Sequence, residues 1–402
     1  MNIVDRWLLP EGIEEILPNR AIKVERLRRR LLNLYHSWGY DLVIPPLAEF
    51  TDSLLSGSGV DLDLMTFKIT DQLSGRMMGI RADITPQVAR MDAHSLQRQG
   101  PNRLCYAGQV LYARPRNPLE TRSPIQLGVE LFGESSLEAD AEVILLLIET
   151  LKQAGVKEIH LDLGHVGIYR GLVASAGLDE ERCQQLFALL QRKDATLPAW
   201  LDTHVSDQGS SDMLAALAGL VGTTEVLVTA RQQLAAAPQA VLTALQTVTD
   251  LVRMIEVRAP DVDLFLDLGE LRGYNYHTGV VFAAYTDSSL VPLGNGGRYD
   301  HVGEAFGRSR PATGFGVDLG LLTSLTENED EIAAGIFVPA SSGSEAAIAE
   351  VAMLRSKGER VVCGFCDQIP NYEELHCDRL LMATAQGFKV VPISDQVAES
   401  ES

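Results

Sequence analysis

Several runs of β-forming residues in the first 325 positions follow one another with no helical stretch between them. The runs are VIPPLAEF (43–50), RMMGIRAD (76–83), NRLCYAGQVLYAR (102–114), IQLGVELFG (125–133), EIHLDLG (158–164), LFLDLG (264–269) and GVVFAAY (279–285). Parallel neighbours need a long crossover, usually a helix, whereas antiparallel neighbours do not. The sequence therefore predicts an α+β fold built on a largely antiparallel sheet flanked by helices.

Composition divides the chain further. Residues 167–259 are rich in Ala, Leu and Gln and are broken by Gly and Pro, which predicts a helical insertion within a first domain at 1–325. The acidic stretch at 326–332 is typical of a linker. Alternating β-like and helix-like runs then predict a small α/β domain at 333–402, in which NYEELHCDRLLMATAQG (371–387) is expected to be helical.

The charge balance bears on the choice of partner. Asp and Glu number 54 against 34 Lys and Arg, a net charge of −20, which disfavours an extended nucleic-acid surface because phosphates are neutralised by basic residues. The basic cluster at residues 26–30 falls on a predicted amphipathic helix and is interpreted as a solvated face. We expect a cytoplasmic protein, because no apolar run reaches the ~18–20 residues of a membrane span and the N-terminus is unlike a signal peptide.

The cysteines suggest a zinc site as one alternative. Cys363 and Cys366 form a C-x-x-C, with His376 and Cys377 following, but the second pair is adjacent and lacks the spacing usual for zinc ligands. Reduced thiols are favoured, and no metal or cofactor is expected.

Strand alternation in residues 125–133 provides the clearest candidate site. Apolar side chains occupy one face, so that Gln126, Gly128 and Glu130 share the other. A glycine between an amide and a carboxylate leaves room for a ligand, although a plain solvent-exposed face would also be polar.

Two further segments, LRGYNYHTGVVF (271–282) and GGRYD (296–300), join this strand in resembling histidyl-tRNA synthetases of class II. GYDLVIPPLAEF (39–50) is similar to motif 1, which in that family builds a dimer interface, and RADITPQVAR (81–90) is similar to a loop that binds the amino group of histidine. The resemblance implies a class II synthetase-like fold with a histidine pocket. The residues it implies are Asp83, Thr85, Gln126, Glu130, Arg272, Tyr276 and His277.

The implied roles follow the ligand's chemistry. A carboxylate and a hydroxyl at Asp83 and Thr85 suit an ammonium group, Glu130 suits an imidazole N–H, and Arg272 suits an anion. Asp83 is also a plausible helix N-cap, and Tyr276 and His277 stay open as alternatives for contact with the ring.

The arginines with which such synthetases hold ATP are absent from their places. Tyr112 stands at the motif 2 position and Leu321 at the motif 3 position, so two guanidinium contacts to the departing pyrophosphate would be missing. This combination resembles regulatory subunits of ATP phosphoribosyltransferase.

That resemblance implies a non-catalytic chain that associates with a short catalytic subunit. It implies that this chain is required for the full activity of that partner in the first step of histidine biosynthesis and conveys feedback inhibition by histidine. It also implies self-association through motif 1. The alternatives are an active histidyl-tRNA synthetase with an atypical ATP site, or a stand-alone histidine-binding module.

Overall fold

The computed structural model describes residues 7–57, 60–115, 120–269, 276–325, 334–340, 344–365 and 370–394. Contacts divide the chain into two compact units, Met1–Glu327 and Asn328–Ser402. The predicted linker at 326–332 lies outside the described residues.

Twelve strands are described in the first unit. They are β1 Asp41–Leu42, β2 Ala48–Phe50, β3 Phe67–Thr70, β4 Met77–Ile80, β5 Asn102–Gln109, β6 Ile125–Phe132, β7 His160–His165, β8 Val221–Gly222, β9 Asp263–Asp267, β10 Val280–Tyr285, β11 Gly294–Arg298 and β12 Ala312–Asp318. Nine of them form one sheet in the order β1-β5-β6-β12-β11-β10-β7-β9-β8. Its neighbours are antiparallel except β1–β5 and β7–β9. The predicted α+β class and its largely antiparallel sheet are confirmed.

Twelve helices are described in the same unit. They are α1 Pro18–Ser37, α2 Thr51–Leu54, α3 Val60–Met65, α4 Thr85–Arg90, α5 Leu137–Ala154, α6 Val166–Ala176, α7 Glu180–Gln191, α8 Leu197–His204, α9 Gln208–Leu217, α10 Val226–Gln233, α11 Gln239–Arg258 and α12 Leu319–Leu325. A π-helix, Met91–Leu96, continues α4, and a 3₁₀ turn spans Glu304–Phe306. Helices α6 to α11 occupy the stretch for which an insertion is predicted.

The core of this unit lies between the large sheet and helices α1, α5 and α11. Helix α5 is the most deeply embedded, with Ile144, Leu146 and Leu147 fully buried, and its left-handed C-cap is Gly155. Helix α1 buries Val24, Leu27, Leu31 and Tyr35, while its basic face is partly paired through Arg29 and Glu25 at 2.8 Å. The opposite face of the sheet carries a smaller buried cluster, in which Leu104, Tyr106 and Phe132 pack with Ile84 and Val88.

In the second unit, strands β13 Gly335–Val338, β14 Val361–Cys363, β15 Cys377–Thr384 and β16 Gly387–Pro392 form a sheet in the order β14-β13-β15-β16, with helix α13 Glu345–Ser356. The prediction of a helix over residues 371–387 was wrong, because β15 pairs with both β13 and β16. Gly387, at φ 126°, closes the β15–β16 turn. Strand pairing in the folded unit outweighs the helical composition of this segment.

Among the described residues, no helix has both the length and the apolar character of a membrane-spanning segment.

Candidate functional site: a polar cavity on the large sheet

A cavity of about 530 Å³ opens over strands β6, β12 and β11. Arg272, one of the predicted site residues, lies outside the described residues. The other six all line the cavity, namely Asp83, Thr85, Gln126, Glu130, Tyr276 and His277. The fold therefore gathers side chains from strand β6, the start of helix α4 and the segment before β10.

Asp83 and Gln126 form a fixed pair at the cavity wall. Gln126 Nε2 donates to Asp83 Oδ1 at 2.8 Å, and the backbone N–H of Ile84 donates to Gln126 Oε1 at 3.0 Å. Thr85 N also donates to Asp83 Oδ1, at 3.2 Å, at the point where α4 begins. Asp83 thus accepts the N–H of the first residue of the helix, but it is not the N-cap that the alternative expects, because the N-cap is Ile84 and no side chain caps it. Oδ2 of Asp83 takes no part in these bonds.

Glu130 lies at the bottom of the cavity with 1% of its surface exposed. The hydroxyl of Tyr106 donates to Oε1 at 3.1 Å, and the hydroxyl of Tyr299 donates to Oε2. Burial raises the pKa of the Glu130 carboxyl to about 8, although hydrogen bonds from Tyr299, Thr85 and Tyr106 oppose the shift. The carboxyl is therefore mostly protonated near neutral pH.

Tyr106 and Tyr299 belong to the site but were missed from the sequence. Tyr106 is the register partner of Gly128, so its side chain shares the polar face of β6. A Cβ on Gly128 would lie 2.5 Å from the Tyr106 hydroxyl oxygen. The room that this glycine provides is thus taken by Tyr106, which also lies 3.3 Å from Thr85 Oγ1. Alternation along β5 puts Tyr106 on one face of that strand, but only the pairing of β5 with β6 brings this face beside Glu130.

Tyr276 and His277 both face the cavity, so the two alternatives are not exclusive. The Tyr276 ring stacks on Tyr299 with centroids 5.0 Å apart and meets the His277 ring edge-on at 5.4 Å. Within the described structure, the Tyr276 hydroxyl and His277 Nδ1 are buried without hydrogen-bond partners. Burial lowers the pKa of His277 to about 4, so its ring is neutral at physiological pH.

Two glycines on β12 leave room at the cavity for the side chains of Glu130 and Gln126. A Cβ on Gly314 would overlap the Glu130 carboxyl and lie 2.5 Å from the carbonyl oxygen of Val129. A Cβ on Gly316, two residues along the same face, would lie 3.2 Å from Gln126 Nε2. Close approach between strands, rather than a turn, is what requires glycine at position 314.

We expect Gly314→Ala to destabilise the first unit by about 1–3 kcal/mol, the usual cost of overpacking. Gly316→Ala is the matched control and should cost less, since a flexible amide can move aside. Urea unfolding followed by fluorescence measures both. Equal destabilisation by the two substitutions would contradict the packing argument.

The cavity lining also includes Tyr112 and Leu321, the residues at the predicted positions of the missing arginines. Arg20 is the arginine among the described lining residues, and its guanidinium pairs with Glu14 at 2.9 Å. The carboxyl-bearing lining residues are Glu14, Asp83, Glu120, Glu130 and Asp318. This lining repels a triphosphate and favours cationic or hydrogen-bond-donating groups.

The arginine of the GGRYD segment has a structural role. Arg298 is buried and binds Asp140 through Nε at 3.0 Å, Asp300 through Nη1 at 3.2 Å and the carbonyl oxygen of Glu134 at 3.1 Å. Because Asp140 is on α5, this network ties β11 to the start of that helix. The guanidinium is thereby committed to the protein itself.

The cysteines that the structure describes are free thiols, namely Cys105, Cys183, Cys363 and Cys377. No group of three or more potential metal ligands is found among the described side chains. Cys366, the second residue of the C-x-x-C, lies outside the described residues.

The sequence and the structure were compared with those of known proteins, and both comparisons point to one family. The sequence model described as histidyl-tRNA synthetase matches residues 12–322, and the one described as the C-terminal domain of ATP phosphoribosyltransferase subunit HisZ matches residues 333–391. The ATP phosphoribosyltransferase regulatory subunit of Saccharophagus degradans is 51% identical over 98% of this chain and 100% of its own length. That of Teredinibacter turnerae is 51% identical over 97% of this chain and 99% of its own.

The chain belongs to the ATP phosphoribosyltransferase regulatory subunit family. A crystal structure of an ATP phosphoribosyltransferase regulatory subunit/histidyl-tRNA synthetase from Bacillus halodurans agrees, with a TM-score of 0.82 and 30% identity over 93% of this chain and 97% of that one. Membership confirms the resemblance and the synthetase-like fold predicted from the sequence. It also confirms a regulatory rather than catalytic role in histidine biosynthesis.

Proposed function

We propose that this chain is a histidine sensor that assembles with a short-form catalytic subunit of ATP phosphoribosyltransferase. In that complex it would support full catalytic activity in the first step of histidine biosynthesis and transmit feedback inhibition. The observation that carries the proposal is the contrast within one cavity. Its lining holds polar groups suited to an amino acid, whereas Tyr112, Leu321 and several carboxyls stand where a nucleotide would need cations.

Part of the cavity lining matches the groups of histidine. The Asp83 carboxylate and the hydroxyl of Thr85 provide acceptors for an ammonium group. Glu130, Tyr276 and His277 line the same cavity and are proposed to contact the ring. Arg272 is proposed for the ligand carboxylate, on the strength of the sequence resemblance alone.

A histidine-bound chain must differ from an empty one in its affinity for one arrangement of the complex. Coupling of this kind is reciprocal, so the catalytic subunit must also change the affinity of this chain for histidine by the same factor. The same coupling factor can therefore be measured through histidine binding and through binding of the catalytic subunit.

Reconstitution with a short-form catalytic subunit is the decisive experiment. We expect this chain to stimulate turnover, and histidine to inhibit the complex. Calorimetry gives the affinity for histidine with and without the catalytic subunit, and the affinity for the catalytic subunit with and without histidine. The ratio of the first two affinities should equal the ratio of the second two. Absence of stimulation, together with absence of histidine binding, would refute the proposal.

Histidine-dependent exchange of pyrophosphate into ATP separates this function from that of a synthetase. We expect none above background, because Tyr112 and Leu321 occupy the positions of the two arginines that would stabilise a departing pyrophosphate. Measurable exchange would favour the synthetase alternative. Histidine binding without any effect on a catalytic subunit would favour a stand-alone binding module.

Self-association through the motif 1 segment is part of the proposal. Strand β1 forms one edge of the large sheet. Leu42 on this strand exposes 48% of its surface, and Ile44 and Leu47, which follow it, expose 79% and 54%. An exposed edge strand flanked by apolar side chains is a ready surface for a second copy. We expect a cytoplasmic homo-oligomer that requires no nucleic acid.

Substituting Ile44→Asp should shift the chain from dimer to monomer, because the change places a charge in an apolar contact. Size-exclusion chromatography with light scattering measures the mass. Val257→Asp, at a position on α11 with 82% exposure, is the control and should leave the mass unchanged. A dimer that survives Ile44→Asp would place the interface elsewhere.

A further inference from the structure

Glu130 is a buried carboxyl without a cationic partner among the described residues. The titratable groups that face it are Tyr106 from β5, Tyr299 after β11, Tyr276 beside β10 and Asp83 before α4. Burial raises the pKa of all three tyrosines, so their hydroxyls stay neutral. Nothing in this group balances a negative charge on Glu130, and Asp83 opposes one.

His277 supplies a second acceptor in the same cavity. Its Nδ1 is buried without a hydrogen-bond partner in the described structure. A neutral imidazole carries one N–H and one bare nitrogen, and in the tautomer whose N–H is on Nε2 the buried Nδ1 is the bare acceptor. The charge of Arg170 joins burial in keeping the ring neutral.

The two acceptors lie above neighbouring strands. A Cβ on Gly297 would be 2.8 Å from His277 Nδ1, and one on Gly314 would overlap the Glu130 carboxyl. Gly297 and Gly314 are direct register partners on β11 and β12. Such partners lie about 5 Å apart, so Glu130 and His277 flank one small part of the cavity floor.

We propose that the cavity binds the side chain of histidine as an imidazolium cation, with the Glu130 carboxylate and His277 Nδ1 accepting its two N–H groups. His277 is then a specificity-determining residue, because it favours rings that present a second N–H donor. This inference rests on the proposed histidine binding and specifies its chemistry.

The proton balance is simple. In the empty cavity near neutral pH, the Glu130 carboxyl holds a proton and the free ligand ring, with an ordinary pKa of about 6.5, is mostly neutral. On binding, the O–H bond of Glu130 breaks and an N–H bond forms on the ring, so no proton is exchanged with solvent. Above about pH 8, where the empty carboxyl is ionised, binding must take one proton from solvent and its affinity falls with pH.

The experiment uses the full chain and histidine labelled with ¹⁵N in the ring. At pH 8, where free histidine is neutral, we expect the bound ring to show two protonated nitrogens. One protonated and one bare nitrogen in the bound ring would overturn this inference but leave histidine binding intact. No histidine binding at any pH would instead overturn the proposed function, and this inference with it.

An analogue and two variants sharpen the result. 1,2,4-Triazol-3-ylalanine, whose ring is far less basic, should bind at least about tenfold more weakly, a loss on the scale of one charge-assisted hydrogen bond. His277→Phe should weaken histidine binding similarly and leave the bound ring neutral at pH 8. His277→Gln, which restores an acceptor, should recover part of both properties. A purely structural His277 would alter affinity without altering the protonation of the ring, and that outcome counts against the proposal.

Discussion

Glu130→Gln is expected to lower histidine affinity by about two orders of magnitude and, at pH 8, to make the chain harder to unfold. The affinity falls because the amide cannot pair with a cationic ring, and loss of a buried charge partner costs about 2–5 kcal/mol. The stability rises because the amide removes an ionisable group from a site where burial penalises its charge.

The sign of the stability change follows from proton binding. Burial raises the pKa of Glu130 from 4.5 to about 8, so between these values the folded chain holds a proton that the unfolded chain has released. Stability therefore falls as pH rises through this window, and the wild type loses a few kcal/mol by its upper end. The Glu130→Gln variant lacks this part of the slope.

Calorimetry with histidine and urea unfolding at pH 5 and pH 8 measure the two effects. Glu256→Gln makes the same chemical change at an exposed position on α11 and should alter neither. Weaker binding accompanied by lower stability at pH 8 would indicate a damaged fold and contradict the proposed protonation of Glu130.

Arg298→Met should have the largest effect on the stability of the first unit, about 3–5 kcal/mol. The substitution leaves the Asp140 carboxylate, 3% exposed, without the guanidinium that binds it at 3.0 Å. Breaking a buried ion pair from one side is costly because the remaining charge stays buried and unpaired. It also leaves the carbonyl oxygen of Glu134 without its donor.

Arg29→Met provides the comparison, since it breaks an exposed pair with Glu25 at 2.8 Å. Exposed pairs contribute about 0–1 kcal/mol, so this variant should unfold almost as the wild type does. Guanidinium unfolding of both variants, with the free energies extrapolated to water, is the measurement. A loss below about 1 kcal/mol in Arg298→Met would show that the network is dispensable.

Alternation along a single strand was enough to predict the site residues that lie on that strand. Alternation with a period of two placed Gln126 and Glu130 on one face, and the structure has both on the cavity wall. The same pattern does not reveal which strands lie on either side. Tyr106 and Tyr299 reach Glu130 from β5 and from the end of β11, and these contacts depend on a strand order that no local period encodes.

In the second unit, local composition predicted the wrong secondary structure for one strand. Residues 377–384 contain Leu, Met and Ala, which favour a helix when considered alone. In the fold they pair on both sides within a sheet, and the backbone bonds gained there decide the conformation. Predicting this strand required knowing that partners were available on both edges.

The acidic lining of the cavity has a consequence for protein engineering. An arginine introduced at position 112 or 321 would bring the arginines of the described lining to two, against the carboxyl groups of Glu14, Asp83, Glu120 and Asp318. Glu130 adds little charge near neutral pH, because burial raises its pKa to about 8. A triphosphate would still meet a surplus of negative charge, so neither replacement alone should convert the cavity into a nucleotide site.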